Sequence, residues 1–346
     1  MIINDIVYGN VEVNEGILID LINSNAFQRL KDICQQGVPK GYIMPEQQNS
    51  YRYDHCIGTM LILRHLEAPL EEQVAGLLHD VSHTAFSHLV DYIFGGGNKE
   101  DYQDSIHSTF FGSGSELSKI LVKHGFDPTK ISELKNYTLL EQDQPEMCAD
   151  RFDYTLRYWA LKNDMDFVNS SINAVRKYKG TMIFDSERAA HDFAERHMVW
   201  QPEQSGFGGL QYDMRVRWYI FGEALRMGIK KGIITKADFL KTDSYVLNRL
   251  LMSKDQKILN TLEILKSPLN FEVSETNPKV VLYSKFRYVN PAFLEDGELK
   301  RLSTADPNFN AAIERYRKLN KTGLGLASIE GIELPINTNA SNGILS

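Results

Sequence analysis

The chain is expected to be mostly α, with minor β elements. Three observations predict this. Apolar residues recur at helical spacing through most of the first 170 positions. Period-two alternation is confined to a few short runs. Composition is ordinary for a globular protein, with 42% hydrophobic and 24% charged residues, which excludes disordered, collagen-like and coiled-coil classes.

The elements follow in order. Ile6-Val7-Tyr8 and Val11-Glu12-Val13 are β-prone, and Gly9-Asn10 between them signals a hairpin turn. Asn14 is placed to cap a helix bearing Ile17, Leu18, Leu21 and Ile22. Ser24 and Asn25 open a second helix with Phe27, Leu30, Ile33 and Cys34 on one side, closed by Gly37-Val38-Pro39. Helices are expected over 55–67 and 70–79, then a turn with another apolar stretch over 80–94 and a break at Gly95-Gly96-Gly97. Residues 115–124 and 145–163 are helical again. Beyond residue 170 the pattern mixes: Lys179-Gly180-Thr181 is a turn between short strands, 186–199, 212–231 and 235–265 are helical, and 278–290 alternate as strands. The expected organisation is a helical core over 1–170, a mixed α/β region over 171–320 and a flexible tail over 321–346, rich in Gly, Asn and Ser.

The net charge of −7 argues against non-specific binding to nucleic acid or an anionic membrane, since both need a basic face. Three cysteines, Cys34, Cys56 and Cys148, are too few for a disulfide framework and form no CxxC zinc pattern, so a reducing compartment is expected. The first ten residues lack the basic and apolar regions of a signal peptide. No apolar run approaches the roughly 20 residues that cross a bilayer. A soluble, cytoplasmic protein is the expectation.

The chemistry concentrates in one stretch. Of nine histidines, four lie between 79 and 107: His79, His83, His88 and His107. An apolar helix delivers the adjacent pair His79-Asp80 at its buried end. A buried, ionised Asp is costly unless paired or bound to a cation. Imidazole with carboxylate suits Mn, Fe, Zn, Co or Ni, and Mg less well. A complete site needs further ligands, and His55 and Asp150 each stand at the head of an apolar helix. Two His and two Asp leave positions open for water and a phosphate oxygen, the pattern of metal-assisted hydrolysis. A buried polar network without metal is the competing account.

These segments, in order, are Asn4-Asp5, Phe27-Gln28-Arg29-Leu30, Arg52-Tyr53-Asp54-His55, Leu78-His79-Asp80, Phe86-Ser87-His88 and Asp150-Arg151-Phe152-Asp153-Tyr154. With them, residues 4–160 resemble the HD-domain phosphohydrolases, particularly the deoxynucleoside triphosphate triphosphohydrolase-like branch. The resemblance implies an HD-domain helical core, with His55, His79, Asp80 and Asp150 as metal ligands and a second Mg accompanying the substrate phosphates. It implies His88 as general acid, oriented by Asp91, with His107 contacting phosphate and His83 lining the pocket. Arg52 and Arg151 would hold phosphate oxygens, and Gln35 and Tyr154 would flank the sugar. One position departs from the pattern. Tyr158 stands where that branch places an Asp that reads the sugar 3′-hydroxyl.

The resemblance implies a metal-dependent phosphohydrolase that cuts a dNTP to deoxynucleoside and triphosphate, and a homo-oligomer. Tyr158 motivates an alternative substrate, a nucleoside monophosphate or a cyclic nucleotide. A nucleotide-binding regulator on the same fold is the reading from another class. Arg29 reads as structural, Cys56 and Cys148 as small buried hydrophobes, and His191 and His197 as parts of a solvated helix face.

Overall fold

The structure, a computed structural model, describes residues 1–43, 50–94, 102–200, 210–283 and 285–335. The Gly95-Gly96-Gly97 break and residues 336–346 of the expected tail lie outside these. Helices dominate, as the periodicity predicts.

The chain opens with a hairpin, β1 (Ile2–Asp5) and β2 (Gly9–Glu12), in antiparallel register with Asp5 opposite Gly9. The turn is Ile6-Val7-Tyr8 rather than Gly9-Asn10, because the Asp5 carboxylate accepts from the amides of Val7 (2.8 Å) and Tyr8 (3.1 Å) and closes the bend itself. Then come α1 (Gly16–Ile22) and α2 (Asn25–Gln28). Asn14 is not the cap of α1. Glu15 holds that position and no side chain caps it. Ser24 does cap α2, its Oγ accepting from the Phe27 amide. The helix tightens into a 3-10 turn over Arg29–Asp32, still burying Leu30.

The central helix is α3 (Arg52–His65), buried on nearly every face from His55 to Leu63. It packs against α4 (Leu70–Leu78) and, later in the chain, α9 (Ala149–Leu161). Glycines permit these close approaches. A Cβ on Gly76 would strike Leu63, and one on Gly58 would overlap Asp153 and Arg157. Among the described residues, four short helices lie between: α5 (Asp91–Phe94), α6 (Tyr102–His107), α7 (Glu116–Lys123) and α8 (Pro128–Ser132).

After α10 (Met165–Ala174) come β3 (Val175–Tyr178) and β4 (Thr181–Phe184), then α11 (Glu187–Trp200) and α12 (Leu210–Lys230). The expected helical stretch 235–265 divides into a 3-10 turn (Lys236–Leu240), α13 (Asp243–Met252) and α14 (Gln256–Ile264). Thr235, Thr242 and Asp255 each cap the start of the next piece, which is why the run breaks. The remaining elements are β5 (Phe271–Val273), β6 (Val280–Leu282), β7 (Ala292–Glu295), β8 (Glu298–Arg301), α15 (Leu302–Ala305), α16 (Pro307–Thr322) and β9 (Leu324–Ile329). Of the strand run expected over 278–290, only β6 forms among the described residues.

One sheet has the order β3-β4-β7-β8, with β4 and β7 parallel through Phe184 and Phe293. Another has the order β5-β9-β6. Its middle strand lies within the segment expected as tail. Leu324, Leu326 and Ile329 are buried there, an alternation that the surrounding Gly and Ser obscure in the sequence.

Two apolar cores result. One surrounds α3, α4 and α9 and takes in Phe184, Phe193 and Phe293. The other joins Val38 and Phe86–Val90 to α12, α13, α14 and β9. The loop after α4, which carries the histidines, runs between them.

Candidate metal centre

The ends of α4 and the starts of α3 and α9 meet at one point. His55 stands in the first turn of α3, His79 and Asp80 follow the last turn of α4, and Asp150 opens α9. Donor atoms of His55, His79 and Asp80 lie within 4.8 Å of one another. His55 Nε2 is 2.9 Å from Asp150 Oδ1 and 3.6 Å from Asp80 Oδ2. His79 Nε2 is 3.5 Å from each of those oxygens.

The opposite ring nitrogens decide what this cluster can bind. His79 Nδ1 lies 2.8 Å from the Gly76 carbonyl, and His55 Nδ1 lies 2.8 Å from Asp153 Oδ2. Both partners accept only, so Nδ1 carries the proton in each ring. In the neutral rings the two Nε2 lone pairs then face each other at 3.2 Å, beside two carboxylate oxygens. Four electron-rich atoms converging in a buried space repel unless a positive charge sits among them. These residues fit a divalent cation by donor chemistry and by the orientation their partners impose. Without one, protons serve instead. Burial opposes a charge on His79, but Asp80 and Asp150 outweigh it and lift its pKa to about 9. Asp80 and Asp150 are held ionised against their burial, Asp80 mainly by Arg52 and Asp150 by the two imidazoles.

Asp153 is the residue that sequence reasoning passed over. It accepts from His55 on one side and from Arg157 Nε (3.1 Å) and Nη2 (3.0 Å) on the other. Arg157 Nη2 also reaches Asp5 Oδ2 at 3.0 Å. The chain Asp5–Arg157–Asp153–His55 is wholly buried and needs Gly58 to make room. The signal was present: an Asp and an Arg four apart on one helix.

The other expected residues fall as follows. Arg52 pairs with Asp80 through Nη1, donates from Nε to Ser87 Oγ (3.1 Å) and from Nη2 to the Gln35 carbonyl (3.4 Å). His83 Nε2 lies 3.3 Å from Asp80 Oδ1, and its ring meets that of His88 edge-on at 4.9 Å. His88 Nδ1 is 3.3 Å from Asp91 Oδ2, while Asp91 Oδ1 accepts from the Tyr102 amide. His107 Nδ1 lies 3.0 Å from Ser82 Oγ, and its Nε2 is buried without a partner. Burial, helped by His79, pushes the His107 pKa down to about 4.

Arg151 turns toward Cys148 Sγ (2.9 Å), the Glu146 carbonyl (3.3 Å) and Glu141 Oε1 (3.4 Å). Glu141, Cys148 and Asp150 could themselves surround an ion, but the Arg151 guanidinium already supplies positive charge there. The Gln35 side chain accepts from Ser50 Oγ. The Tyr154 ring stands between His55 (6.2 Å) and His197 (5.7 Å). Tyr158 packs edge-on against Trp159 and under the Lys162 ammonium. Those contacts are with sequence neighbours on α9 and at its C-terminal end.

His197 is buried, not part of a solvated face. Thr155 Oγ1 donates to the Arg151 carbonyl and so accepts from His197 Nδ1 at 2.9 Å, which leaves Nε2 without a partner.

A helical bundle that converges two imidazoles and two carboxylates, each fixed by a buried partner, defines a metal-dependent hydrolase centre. Comparison with known proteins agrees. A family model described as HD domain matches residues 52–157. The uncharacterized protein YdhJ of Bacillus subtilis is 35% identical over 326 residues, covering 93% of this chain and 97% of its own length. The metal-dependent phosphohydrolase cns2 of Cordyceps militaris is 37% identical over 157 residues, covering 45% of this chain and 44% of that protein. A Dictyostelium discoideum homolog of the deoxynucleoside triphosphate triphosphohydrolase SAMHD1 is 28% identical, covering 85% of this chain and 63% of its own length. The chain belongs to the HD-domain superfamily of metal-dependent phosphohydrolases. No described helix is long and apolar enough to cross a membrane.

Proposed function

We propose that this protein hydrolyses a nucleotide, cutting a deoxynucleoside triphosphate to deoxynucleoside and triphosphate. The observation that carries the hydrolytic reading is the inward-facing pair of imidazole lone pairs, 3.2 Å apart between two carboxylates. The name of the Dictyostelium relative supports the substrate.

His55, His79, Asp80 and Asp150 are the residues that would hold the cation. When bound, it supplies Lewis acidity toward phosphorus and lowers the pKa of a coordinated water. Arg52 fixes Asp80 and screens its charge. His88, oriented by Asp91, protonates the leaving oxygen. With Ser82 Oγ as the donor to His107 Nδ1, Nε2–H is left to donate to a phosphate oxygen. Tyr154 forms the wall against which the sugar rests. Assembly into a homo-oligomer belongs to the same proposal, and sedimentation tests it.

The experiment is product analysis on metal-loaded protein across deoxynucleoside triphosphates, monophosphates and cyclic nucleotides. Inorganic triphosphate with free deoxynucleoside is the expected product. Orthophosphate from a monophosphate, or a ring-opened cyclic nucleotide, would move the assignment to the substrate that Tyr158 favours. Tight nucleotide binding without turnover would make the protein a regulator.

A further inference from the structure

Among the contacts by which the C-terminal half reaches back toward the metal centre is a buried carboxylate. Asp243, the first residue of α13, is 2% exposed. Its Oδ1 accepts from the Phe86 amide at 2.7 Å and its Oδ2 from the Cys34 amide at 2.8 Å. Phe86 and Ser87 have φ of 65° and 47°, a left-handed backbone that costs a bulky residue free energy and persists only where its surroundings impose it.

The two segments held by Asp243 aim Arg52. Ser87 Oγ donates to the Cys34 carbonyl at 2.7 Å and accepts from Arg52 Nε, and the Gln35 carbonyl accepts from Arg52 Nη2. The guanidinium so fixed pairs with Asp80. His88 is the residue after Ser87. The start of α13 is itself anchored, with Asp32 accepting from the Ser244 amide and hydroxyl. Arg29 ties the Lys241 carbonyl to those of Val81 and His83.

We propose that Asp243 is a positioning residue for the metal centre: by holding the amides of Cys34 and Phe86 it sets the two segments that direct Arg52 onto Asp80. It lies outside the stretch matched by the HD family. The inference rests on the hydrolase reading only for its activity readout.

The carboxylate uses one oxygen for each amide. Asp243→Asn keeps the shape but sets an NH2 against one N–H, so one bond is lost. In Mn²⁺-loaded protein assayed with bis(p-nitrophenyl) phosphate, kcat is expected to fall about 10–100-fold with KM little changed. Amide exchange at Cys34 and Phe86 should accelerate while α16 keeps its protection. Ser87→Ala, which spares Asp243, should produce the same kind of loss, and the double variant should be no worse than the poorer single one.

A pH profile separates positioning from a merely structural part. Burial pushes the Asp243 carboxyl up to about 7, with Asp32 adding to the rise; Arg29, Cys34 and Tyr51 are the other titratable groups around it. Protonation removes one acceptor. Wild-type activity should therefore drop as pH falls through about 7, a limb that Asp243→Asn lacks. Unchanged exchange at Cys34 and Phe86, or uniform loss of protection across the chain, would overturn the inference. Absence of any turnover in the wild type would refute the hydrolase reading instead, and the exchange result would still decide this one.

Discussion

Exchanging Asp153 for Asn tests the proton arrangement on which the metal centre depends. The carboxylate is fully buried and acceptor-only: Oδ2 takes His55 Nδ1–H and Arg157 Nε–H, and Oδ1 takes Arg157 Nη2–H. An amide offers one acceptor. With its oxygen toward His55, its NH2 meets the Arg157 donor. Flipped, it meets His55 Nδ1–H, and relieving that clash moves the ring proton to Nε2 and blocks the lone pair facing the metal. Either arrangement leaves a buried donor opposed, worth about 1–3 kcal/mol of stability. Arg157 retains Asp5, so the larger penalty of an isolated buried charge is avoided. Partners of metal-binding histidines are worth about 10–100-fold in metal affinity. That corresponds to roughly 1.4–2.7 kcal/mol. Chelator-competition titrations with Zn²⁺ or Mn²⁺ read the affinity, and melts with and without EDTA read the stability. Wild-type affinity at unchanged Tm would refute the tautomer reasoning.

Three further perturbations follow from the same contacts. Gly58→Ala should displace the Asp153–Arg157 pair, because the new methyl overlaps both; reduced metal content and lowered Tm together are the expected result, by mass spectrometry and calorimetry. Asp80→Ala should abolish metal content and turnover and leave Arg52 buried without its carboxylate, lowering unfolding free energy by about 3–5 kcal/mol in denaturant titrations. Burial, with Arg151 and Arg287 adding to it, holds the His197 pKa down to about 3, against 6.5 for the free group. The unfolded state therefore binds more protons in that window, so this part of the stability is present above pH 6.5 and falls by about 1.4 kcal/mol per pH unit as acid is added. His197→Phe should flatten the acid limb of stability by about one proton's worth, measured by denaturant titration from pH 4 to 7; an unchanged slope would show that His197 already titrates normally.

Residues announced their chemistry better than their surroundings. His55, His79, Asp80 and Asp150 were legible because an ionisable group at the end of an apolar helix demands a partner, and the partner types were visible in the chain. Asp153 and Arg157 were written in the same helix, but nothing local says which face of α9 meets α3. His197 was misread for a related reason. Its neighbours Asp192, Glu195 and Arg196 are charged, yet α11 presses one narrow side against Thr155 and Tyr154. Asp243 resembles any acidic residue opening a helix, and its partners are amides 157 and 209 positions away. The β9 strand was lost among Gly, Ser and Asn because its pairing with β5 and β6 is non-local.

The opening hairpin carries more than its size suggests. Asp5 shapes its own bend with one oxygen and steadies Arg157 with the other, so three short links join the first strand to an imidazole at the heart of the molecule. Trimming the leading dozen residues to tidy an expression clone would then register as poor loading with metal, and a fused tag that strains that ribbon would do the same from the outside.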